Sequence, residues 1–220
     1  MDFTLSPRLL MCSEFIRPGE TIADVGCDHG YLGIYLLKKN IAKFVIASDI
    51  NAGPLSSAKA NAEKYRVAGR MSFHLCPGVE SVPHDFDVLV CAGMGGNTMI
   101  SILQVAPWLE SGAYRLVLQC QTKTHTLRRY LWENGWEICR EEPVRDGRFV
   151  YTVMEVCRGI VETVTPGQLY FSPALASSQK AEAREYLMQM IKKLSFSVNG
   201  KGADVTPLEA AALRELEELL

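Results

Sequence analysis

Asp24-Val25-Gly26-Cys27-Asp28-His29-Gly30 is the stretch that decides the fold. It joins a short β-branched run, Thr21–Val25, to a helical pattern, Tyr31–Lys39, and so predicts a tight strand-to-helix turn. Gly26 lets the chain leave the strand, and Gly30 allows the backbone to approach a ligand closely. The N-terminus of the following helix favours a negative group. The stretch therefore predicts a ligand site at the carboxyl edge of a sheet.

Strand and helix patterns alternate outward from this turn, which predicts a parallel sheet covered on both faces. The predicted strands are Thr21–Val25, Phe44–Ser48, Met71–Leu75, Phe86–Cys91 and Leu116–Gln119. The predicted helices are Tyr31–Lys39, Pro54–Ala68, Asn97–Leu109 and Thr124–Asn134. Two successive strands, Trp136–Cys139 and Phe149–Val156, follow around the turn-rich segment Pro143–Gly147. A Rossmann-like α/β sheet that ends in an antiparallel hairpin is typical of class I methyltransferases, whereas dehydrogenase domains usually end on parallel strands.

The composition shifts after Thr165-Pro166-Gly167, so we predict a catalytic domain over 1–165 and a C-terminal unit over 166–220. Ser172-Pro173 predicts a helix start. We expect that helix to carry the apolar stripe Ala183, Leu187, Met190 and Leu194. After a turn predicted at Asn199-Gly200 and Gly202, the capping box Thr206–Glu209 opens a helix with a matching stripe, Leu208, Ala212, Leu216 and Leu219. The two stripes predict an antiparallel, coiled-coil-like helical hairpin over 169–220.

The composition, 48% hydrophobic and 22% charged residues among 220, indicates a soluble globular protein. Seven cysteines without a CxxC pair argue against a disulfide framework and a metal site. The first 18 residues lack the features of a signal peptide, and no apolar run is long enough for a membrane span. We therefore expect a cytoplasmic protein without metal or membrane partner; its oligomeric state, monomer or weak dimer, stays open.

Two further motifs complete the predicted ligand site. Asp49 ends the second strand, where a carboxylate can accept hydrogen bonds from both hydroxyls of a ribose. Ala92-Gly93-Met94-Gly95-Gly96 follows the fourth strand, beside the point where strand order reverses. Its glycines predict a bare backbone wall against which a flat base and a sulfonium could lie. The GxxxG spacing of 26–30 fits a dinucleotide pyrophosphate poorly, although another nucleotide cofactor stays an alternative.

The motifs together resemble those of the bacterial tRNA (adenine(22)-N(1))-methyltransferase family. Ser6-Pro7-Arg8-Leu9, DVGCDHGYLG at 24–33, AGMGG at 92–96 and LVLQCQ at 116–121 follow in that family's order. The resemblance is close over residues 5 to about 157. The predicted hairpin resembles the family's C-terminal domain only in being helical. The resemblance implies S-adenosylmethionine as the methyl donor, N1 of adenine 22 in tRNA as the acceptor, and a C-terminal helical domain.

The resemblance and the motifs assign roles to individual residues. For cofactor binding we predict Asp24, Gly26, Asp28, His29, Gly30, Asp49, Ile50, Gly78, Val79, Gly93, Met94 and Gly95. The predicted catalytic residues are Asp28, which would stabilise the cationic product base, His29, which would bind the methionine moiety or orient Asp28, and Tyr31, which would stack on the target base. Helix capping by Asp28 and simple packing of His29 and Tyr31 are the alternatives. For tRNA binding we predict Arg8, Lys123, Arg128, Lys180, Arg184, Lys192 and Lys193.

The sequence departs from the family pattern at several positions. Cys27, Gly30 and Gly33 stand where the family usually has Ser, Ala and Pro. Cys76-Pro77-Gly78 replaces Gly-Asp-Gly and so removes a carboxylate, leaving the backbone or Glu80 to bind the cofactor's adenine. Gln119-Cys120-Gln121 replaces Gln-Pro-Asn. Two other classes of function stay open: a methyltransferase for another RNA site or a protein, and a non-catalytic S-adenosylmethionine- or RNA-binding protein.

Overall fold

The computed structural model describes residues 3–160, 163–201 and 206–220. Its strands are β1 Thr21–Val25, β2 Phe44–Asp49, β3 Met71–Leu75, β4 Val88–Gly95, β5 Arg115–Thr122, β6 Trp136–Asp146 and β7 Phe149–Arg158. Its α-helices are α1 Pro7–Ser13, α2 Tyr31–Lys38, α3 Ala52–Lys64, α4 Gly96–Gln104, α5 Thr124–Glu133, α6 Pro173–Ala176, α7 Ala181–Lys201 and α8 Pro207–Glu217. No helix within these ranges is both long and apolar enough to cross a bilayer.

The seven strands form one sheet in the order β3-β2-β1-β4-β5-β7-β6. Strands β1 to β5 are mutually parallel, while β7 lies between β5 and β6 and runs antiparallel to both. The predicted Rossmann-like sheet with an antiparallel terminal hairpin is therefore confirmed. Strand order reverses between β1 and β4, so the loops after these two strands meet at the carboxyl edge, where ligands of open α/β sheets bind.

Apolar side chains cover both faces of the sheet. On one face, Met11 of α1, Leu32 of α2 and Ala58 of α3 pack in the first core cluster. On the other, Met99 of α4 and Leu127 of α5 pack in the second. Strands β1 and β2 are almost continuously buried, as are the first four residues of β4 and the first six of β5, as expected for central parallel strands. This rigid sheet fixes the loops at its carboxyl edge.

Several predicted boundaries were wrong for local reasons. Strand β4 begins at Val88 and includes the glycine motif as far as Gly95, with bulges opposite β5. The helix predicted over 97–109 ends at Gln104, and a 3₁₀ turn begins at Pro107, whose ring cannot continue a helix. Pro143, predicted as part of a turn, pairs within β6, so the hairpin turn shrinks to residues 147–148. The sequence prediction missed α1, which Ser6 caps.

The C-terminal hairpin consists of α7 and α8, and their apolar stripes pack together as predicted except at Leu219, which lies beyond the end of α8 and is 55% exposed. It does not begin at Ser172. That serine caps only α6, a helix of four residues, and α7 starts at Ala181. The turn predicted at Asn199-Gly200 is wrong, because α7 continues as far as Lys201; Gly202 lies outside the described residues. The predicted capping box at Thr206 and Glu209 is confirmed.

Arg128 of α5 ties this C-terminal unit to the sheet. Its buried guanidinium pairs with Glu141 of β6 at 2.5 Å and donates to the carbonyl oxygens of Leu169 and Tyr170 at 3.0 and 2.9 Å. The hydroxyl of Ser172 donates to the same glutamate at 2.5 Å. Burial by itself lowers the pKa of Arg128, but Glu141 outweighs it and holds the guanidinium charged. The segment that precedes the helical hairpin is therefore anchored to the sheet and to α5 by a buried charge network.

Candidate functional site

The turn between β1 and α2 has the shape that its glycines allow. Gly26 and Gly30 have φ of 69° and 71°, and Asp28 between them has φ of 49°. A side chain at Gly30 would lie 3.0 Å from the Cβ of Ala58 in α3. Gly30 is therefore required by the turn and by packing against α3; its predicted role of bringing backbone close to a ligand stays a prediction.

Asp49 holds this turn from the neighbouring strand. Its Oδ2 accepts a hydrogen bond from the backbone N–H of Asp28 at 3.1 Å, and its Oδ1 accepts one from Asn51 at 2.8 Å. Each carboxylate oxygen has two acceptor positions, so both oxygens keep one for a ligand hydroxyl. The carboxylate is thus fixed in place at the mouth of the site.

A cavity of about 390 Å³ opens between the ends of β1, β4 and β5, and we call it the Asp24 cavity. It brings together six predicted cofactor positions, the predicted catalytic Tyr31 and the predicted RNA-binding Arg8. The six are Asp24, Gly26, Asp28, His29, Gly93 and Met94. These residues are scattered over nearly ninety positions of sequence, yet they line one space at the switch point of the sheet.

Asp24 is the buried carboxyl group of this cavity. Among the described residues, its Oδ2 is one of two buried side-chain polar atoms that have no hydrogen-bond partner. Burial raises the pKa of Asp24 to about 7, opposed by a hydrogen bond from the Gly33 backbone and assisted by the charge of Asp49. A buried acceptor without a partner is costly, so Oδ2 is suited to a donor brought by a ligand.

Gln119 forms the back of the cavity and is fully buried. Its Oε1 accepts from the backbone N–H of Gly93 at 3.0 Å and from Nη1 of Arg8 at 3.4 Å. Nε of Arg8 also donates to Asp146 at 2.5 Å, and its guanidinium lies 5.1 Å from the ring centre of Tyr151. The side chain of Arg8 therefore lines the cavity, and two acceptors, Gln119 and Asp146, hold it in place.

A second cavity of about 450 Å³, the Asp49 cavity, adjoins the first. It is lined by Asp49, Ile50 and Gly78, as predicted, and by Glu80. The two cavities share Gly26 and Met94. A Cβ on Gly26 would lie 2.1 Å from Cε of Met94, so the methionine side chain lies directly over the glycine. Gly26 and Met94 therefore form the boundary between the two cavities.

Two other predicted cofactor residues are placed elsewhere. The side chain of Val79 is buried in the second core cluster, so only its backbone could reach a ligand. A side chain at Gly95 would meet Oγ1 of Thr122 at 2.9 Å, and one at Gly96 would meet the carbonyl oxygen of Lys123 at 2.6 Å. These two glycines let the end of β4 pack against the end of β5, instead of forming a ligand wall.

The three predicted catalytic side chains lie at the rim of the Asp24 cavity. Asp28 is 70% exposed and does not cap α2, whose N-cap is Gly30 without a side-chain hydrogen bond. Nε2 of His29 lies 3.6 Å from Oδ1 of Asp28. Tyr31 packs on Phe3 with ring centres 4.8 Å apart and keeps part of its surface exposed. The capping alternative for Asp28 is therefore wrong, and its carboxylate is free to face a substrate.

Among the predicted RNA-binding residues, Arg8 lines the Asp24 cavity, and the other six lie elsewhere. Lys123, Lys192 and Lys193 line a groove between the β5 end and α7. Arg184 is exposed on α7, whereas Lys180 points towards Met11 and Glu142. The prediction for Arg128 was wrong, because a fully buried guanidinium cannot meet phosphates.

Sequence reasoning missed part of the site. Gln119 and Gln121 stood in a quoted motif without a firm role, and both line the Asp24 cavity. Phe149 and Phe196, which line the groove, carry no local motif at all. Within the described residues, no group of three His, Cys, Asp or Glu side chains could hold a metal ion.

The chain matches proteins whose family is known. A family model described as a methyltransferase domain matches residues 5–154. The tRNA (adenine(22)-N(1))-methyltransferase of Bacillus subtilis is 30% identical over 154 residues, which are 70% of this chain and 65% of that protein. The chain thus spans slightly less than two thirds of that relative's length. A proposed tRNA methyltransferase of Mycoplasma pneumoniae is 31% identical over 80% of this chain and 83% of its own length.

A similar solved structure is that of a proposed tRNA (m1A22) methyltransferase of Streptococcus pneumoniae in complex with S-adenosyl-L-methionine. It has a TM-score of 0.87 and 25% identity, over 99% of this chain and 100% of its own. The similarity extends through the C-terminal helices, beyond the part that the family model matches. The chain therefore belongs to the methyltransferase domain family, and the relatives that it is similar to are tRNA methyltransferases by name.

Proposed function

We propose that this protein transfers a methyl group from S-adenosylmethionine to N1 of adenine 22 in tRNA, in the cytoplasm. The observation that carries the proposal is the pair of adjoining cavities at the switch point, one built on Asp24 and the other on Asp49. Their donor and acceptor groups suit a ligand with a nucleoside at one end and an amino acid at the other. The relatives named above carry the same activity in their names.

The residues present fit S-adenosylmethionine. Asp49 would accept from the ribose hydroxyls, and the partnerless Oδ2 of Asp24 would accept from the methionine ammonium. Glu80, which lines the Asp49 cavity, is placed to substitute for the missing carboxylate at position 77. When bound, the cofactor supplies a methyl group on a positively charged sulfur. Gly26 and Met94, at the boundary of the two cavities, would contact the middle of the ligand.

The chain's own residues would then align the base and accommodate its charge. Adenine N1 has an in-plane lone pair, so no proton has to be removed before it attacks. The work of the enzyme is orientation and exclusion of water. The product base is cationic, and Asp28, exposed at the rim, would stabilise that charge as it develops. Tyr31, which lines the cavity, would stack on the extruded base.

The proposal is tested by incubating the protein with labelled S-adenosylmethionine and an unmodified tRNA transcript, followed by nucleoside mapping. We expect 1-methyladenosine at position 22 alone. A transcript with guanine at position 22 is the control and should take up no label. Label at another nucleotide, or transfer to a protein instead of tRNA, would overturn the assigned acceptor.

Cofactor affinity should rise with pH. Because the pKa of Asp24 is raised to about 7, the carboxyl is protonated below that pH and ionised above it. Only the carboxylate pairs with the ligand ammonium. The affinity for S-adenosylhomocysteine should therefore fall about tenfold between pH 8 and pH 6, as the ionised fraction falls. Titration calorimetry measures this profile.

Asp24→Asn is the control for the pH profile. The variant keeps every titration that belongs to the ligand itself, so its weaker binding should depend much less on pH. A profile as steep as that of the unchanged protein would show that Asp24 is not the titrating group.

Asp28→Asn should separate chemistry from binding. Asparagine tolerates the left-handed backbone at this position, so the turn is preserved. Removal of the charge should lower kcat roughly tenfold or more, because the developing cation loses a partner. The affinity for S-adenosylhomocysteine should change by less than about threefold. Single-turnover kinetics with saturating tRNA, together with calorimetry, measure the two effects.

Asp85→Asn is the matched control for this variant, since Asp85 is an exposed aspartate outside both cavities. It should leave kcat and affinity unchanged. If Asp28→Asn lowers cofactor affinity and rate by equal factors, Asp28 is a cofactor-binding residue and not a stabiliser of the product cation.

A further inference from the structure

A groove of about 960 Å³ separates the end of the sheet from α7. The tail of β5 and the start of α5 form one side, residues 148–151 form the floor, and α7 forms the other side. Gln121 lines both this groove and the Asp24 cavity. The groove therefore adjoins the place where the target base would be methylated.

The rim of the groove is positively charged. Lys123 and Arg148 come from the catalytic domain, while Lys192 and Lys193 come from α7. Glu185 also lines the groove, but it forms an ion pair with Arg145, so its charge is compensated. Cations from two separate domains thus surround the same space, as expected for a site that takes phosphate groups.

Lys123 adds an observation of a different kind. It is a non-glycine residue in the left-handed conformation, with φ of 57°, at the N-cap of α5. Such a conformation is uncommon for a residue with a side chain. A Cβ on Gly96 would lie 2.6 Å from the Lys123 carbonyl oxygen, so the start of α4 packs closely against this turn. Lys123 therefore stands on a closely packed turn beside the groove.

Aromatic and apolar side chains are exposed inside the charged rim. Phe196 of α7 is 83% exposed, and Phe149 of β7 is 43% exposed. The half-buried His125 stacks on Tyr170, which is buried, with ring centres 4.7 Å apart and planes within 12°. The exposed rings of Phe149 and Phe196 are apolar surface of the kind that a partner covers. Flat apolar faces inside a cationic rim are the combination that binds unpaired nucleotides, by stacking the base and pairing the phosphate.

We propose that this groove binds a second, unpaired nucleotide of the RNA substrate, one that flanks the methylated adenine, with its base stacked on Phe149 or Phe196 and its phosphate between Lys123 and Lys193. The proposal rests on the proposed function, because it takes the Asp24 cavity as the place of methyl transfer. The groove would then hold the RNA strand extended while the target base is extruded.

The protonation state of the His125 imidazole agrees with this assignment. Burial, together with the charges of Lys193, Arg129 and Arg128, lowers its pKa to about 4, with Glu209 acting in the opposite direction. The imidazole is therefore neutral near pH 7 and offers a flat ring. A phosphate beside Lys193 would offset part of the positive charge, so RNA binding should raise the pKa of His125. Proton NMR of the histidine ring can follow that change.

Phe196→Ala and the double variant Lys192→Gln, Lys193→Gln test the proposal. Phe196 is so exposed that its loss should leave the fold intact. We expect Phe196→Ala to raise the KM for tRNA roughly 5- to 150-fold, because one base stack is removed, with the affinity for S-adenosylhomocysteine unchanged. The lysine variant should lower the salt slope of RNA binding by about 0.7 for each phosphate that it no longer neutralises.

Matched control variants distinguish an effect at the groove from a general effect of losing exposed side chains. Ile160→Ala removes another exposed apolar side chain, and Lys38→Gln with Lys39→Gln removes two exposed lysines from the far end of α2. Both should leave the KM for tRNA and the salt slope unchanged. A pentanucleotide with 2-aminopurine beside a central adenine measures binding directly: its fluorescence should be quenched by the unchanged protein and less by Phe196→Ala.

The outcomes distinguish this inference from the proposed function. If the protein methylates tRNA and both groove variants match the unchanged protein in KM, salt slope and quenching, the groove is not a nucleotide site and another partner covers it. If no tRNA is methylated, the proposed function fails. In that case the quenching assay still decides whether the groove binds an unpaired nucleotide.

Discussion

Replacing Arg128 with methionine should lower the free energy of unfolding by about 3–5 kcal/mol, the usual cost of breaking a buried ion pair from one side. The methionine fills a similar volume, so the loss is electrostatic. It leaves the Glu141 carboxylate buried and removes the donor to the carbonyl oxygens of Leu169 and Tyr170. Urea denaturation followed by circular dichroism measures the change.

Arg129→Met is the control, because Arg129 follows in α5 and is only half-buried. Its effect should stay below about 1 kcal/mol. Combining Arg128→Met with Glu141→Gln removes both charges and should recover part of the loss. A loss below about 1 kcal/mol for Arg128→Met alone would contradict the view that this pair anchors the C-terminal unit.

Replacing Asp49 with alanine should weaken S-adenosylhomocysteine binding by about 1.5–3 kcal/mol, or roughly 10- to 150-fold, as expected when hydrogen bonds to a charged group are removed. Two effects add. The ribose hydroxyls would lose their acceptor, and the N–H groups of Asp28 and Asn51 lose the carboxylate that orders the turn. Calorimetry at fixed pH measures the affinity.

Asp87→Ala is the matched control for the loss of a backbone hydrogen bond away from the cavities. Asp87 also accepts a backbone hydrogen bond, from Thr21 at 2.8 Å, but at the opposite end of β1 from the cavities. Its loss should lower stability slightly and leave cofactor affinity unchanged. If Asp49→Ala binds S-adenosylhomocysteine as tightly as the unchanged protein, Asp49 is only a turn-forming residue.

Most of the sheet was predictable, because its signals are local. The bounds of β1 and β3 were predicted correctly, since their β-branched and apolar runs end at clear breaks. The helix predicted over 97–109 was too long because apolar periodicity continues through Pro107. The extra residues of β6 were hidden because Pro143 normally marks a turn, although it pairs with Thr152 here.

Residues of the site were predictable where they stand in a motif at the end of a strand. They were not predictable where the contact joins segments that carry no such motif. Asp24, Asp28 and Asp49 stand at strand ends, so topology alone brings them to one edge. Arg128 looked like one more surface arginine in a basic cluster, because Glu141, its partner, lies on a strand that sequence patterns ended two residues earlier, at Cys139. The groove is formed by residues from 120 to 196, whose proximity no spacing rule could give.

The bond between Arg8 and Asp146 has a consequence for synthesis of the chain. The two residues are 138 positions apart, and Arg8 is one wall of the Asp24 cavity. At roughly 5–20 residues per second, a ribosome adds Asp146 about 7–28 s after Arg8. Throughout that interval α1 lacks its partner at the end of β6. A nascent chain therefore cannot form the complete Asp24 cavity until strands β6 and β7 have left the ribosome.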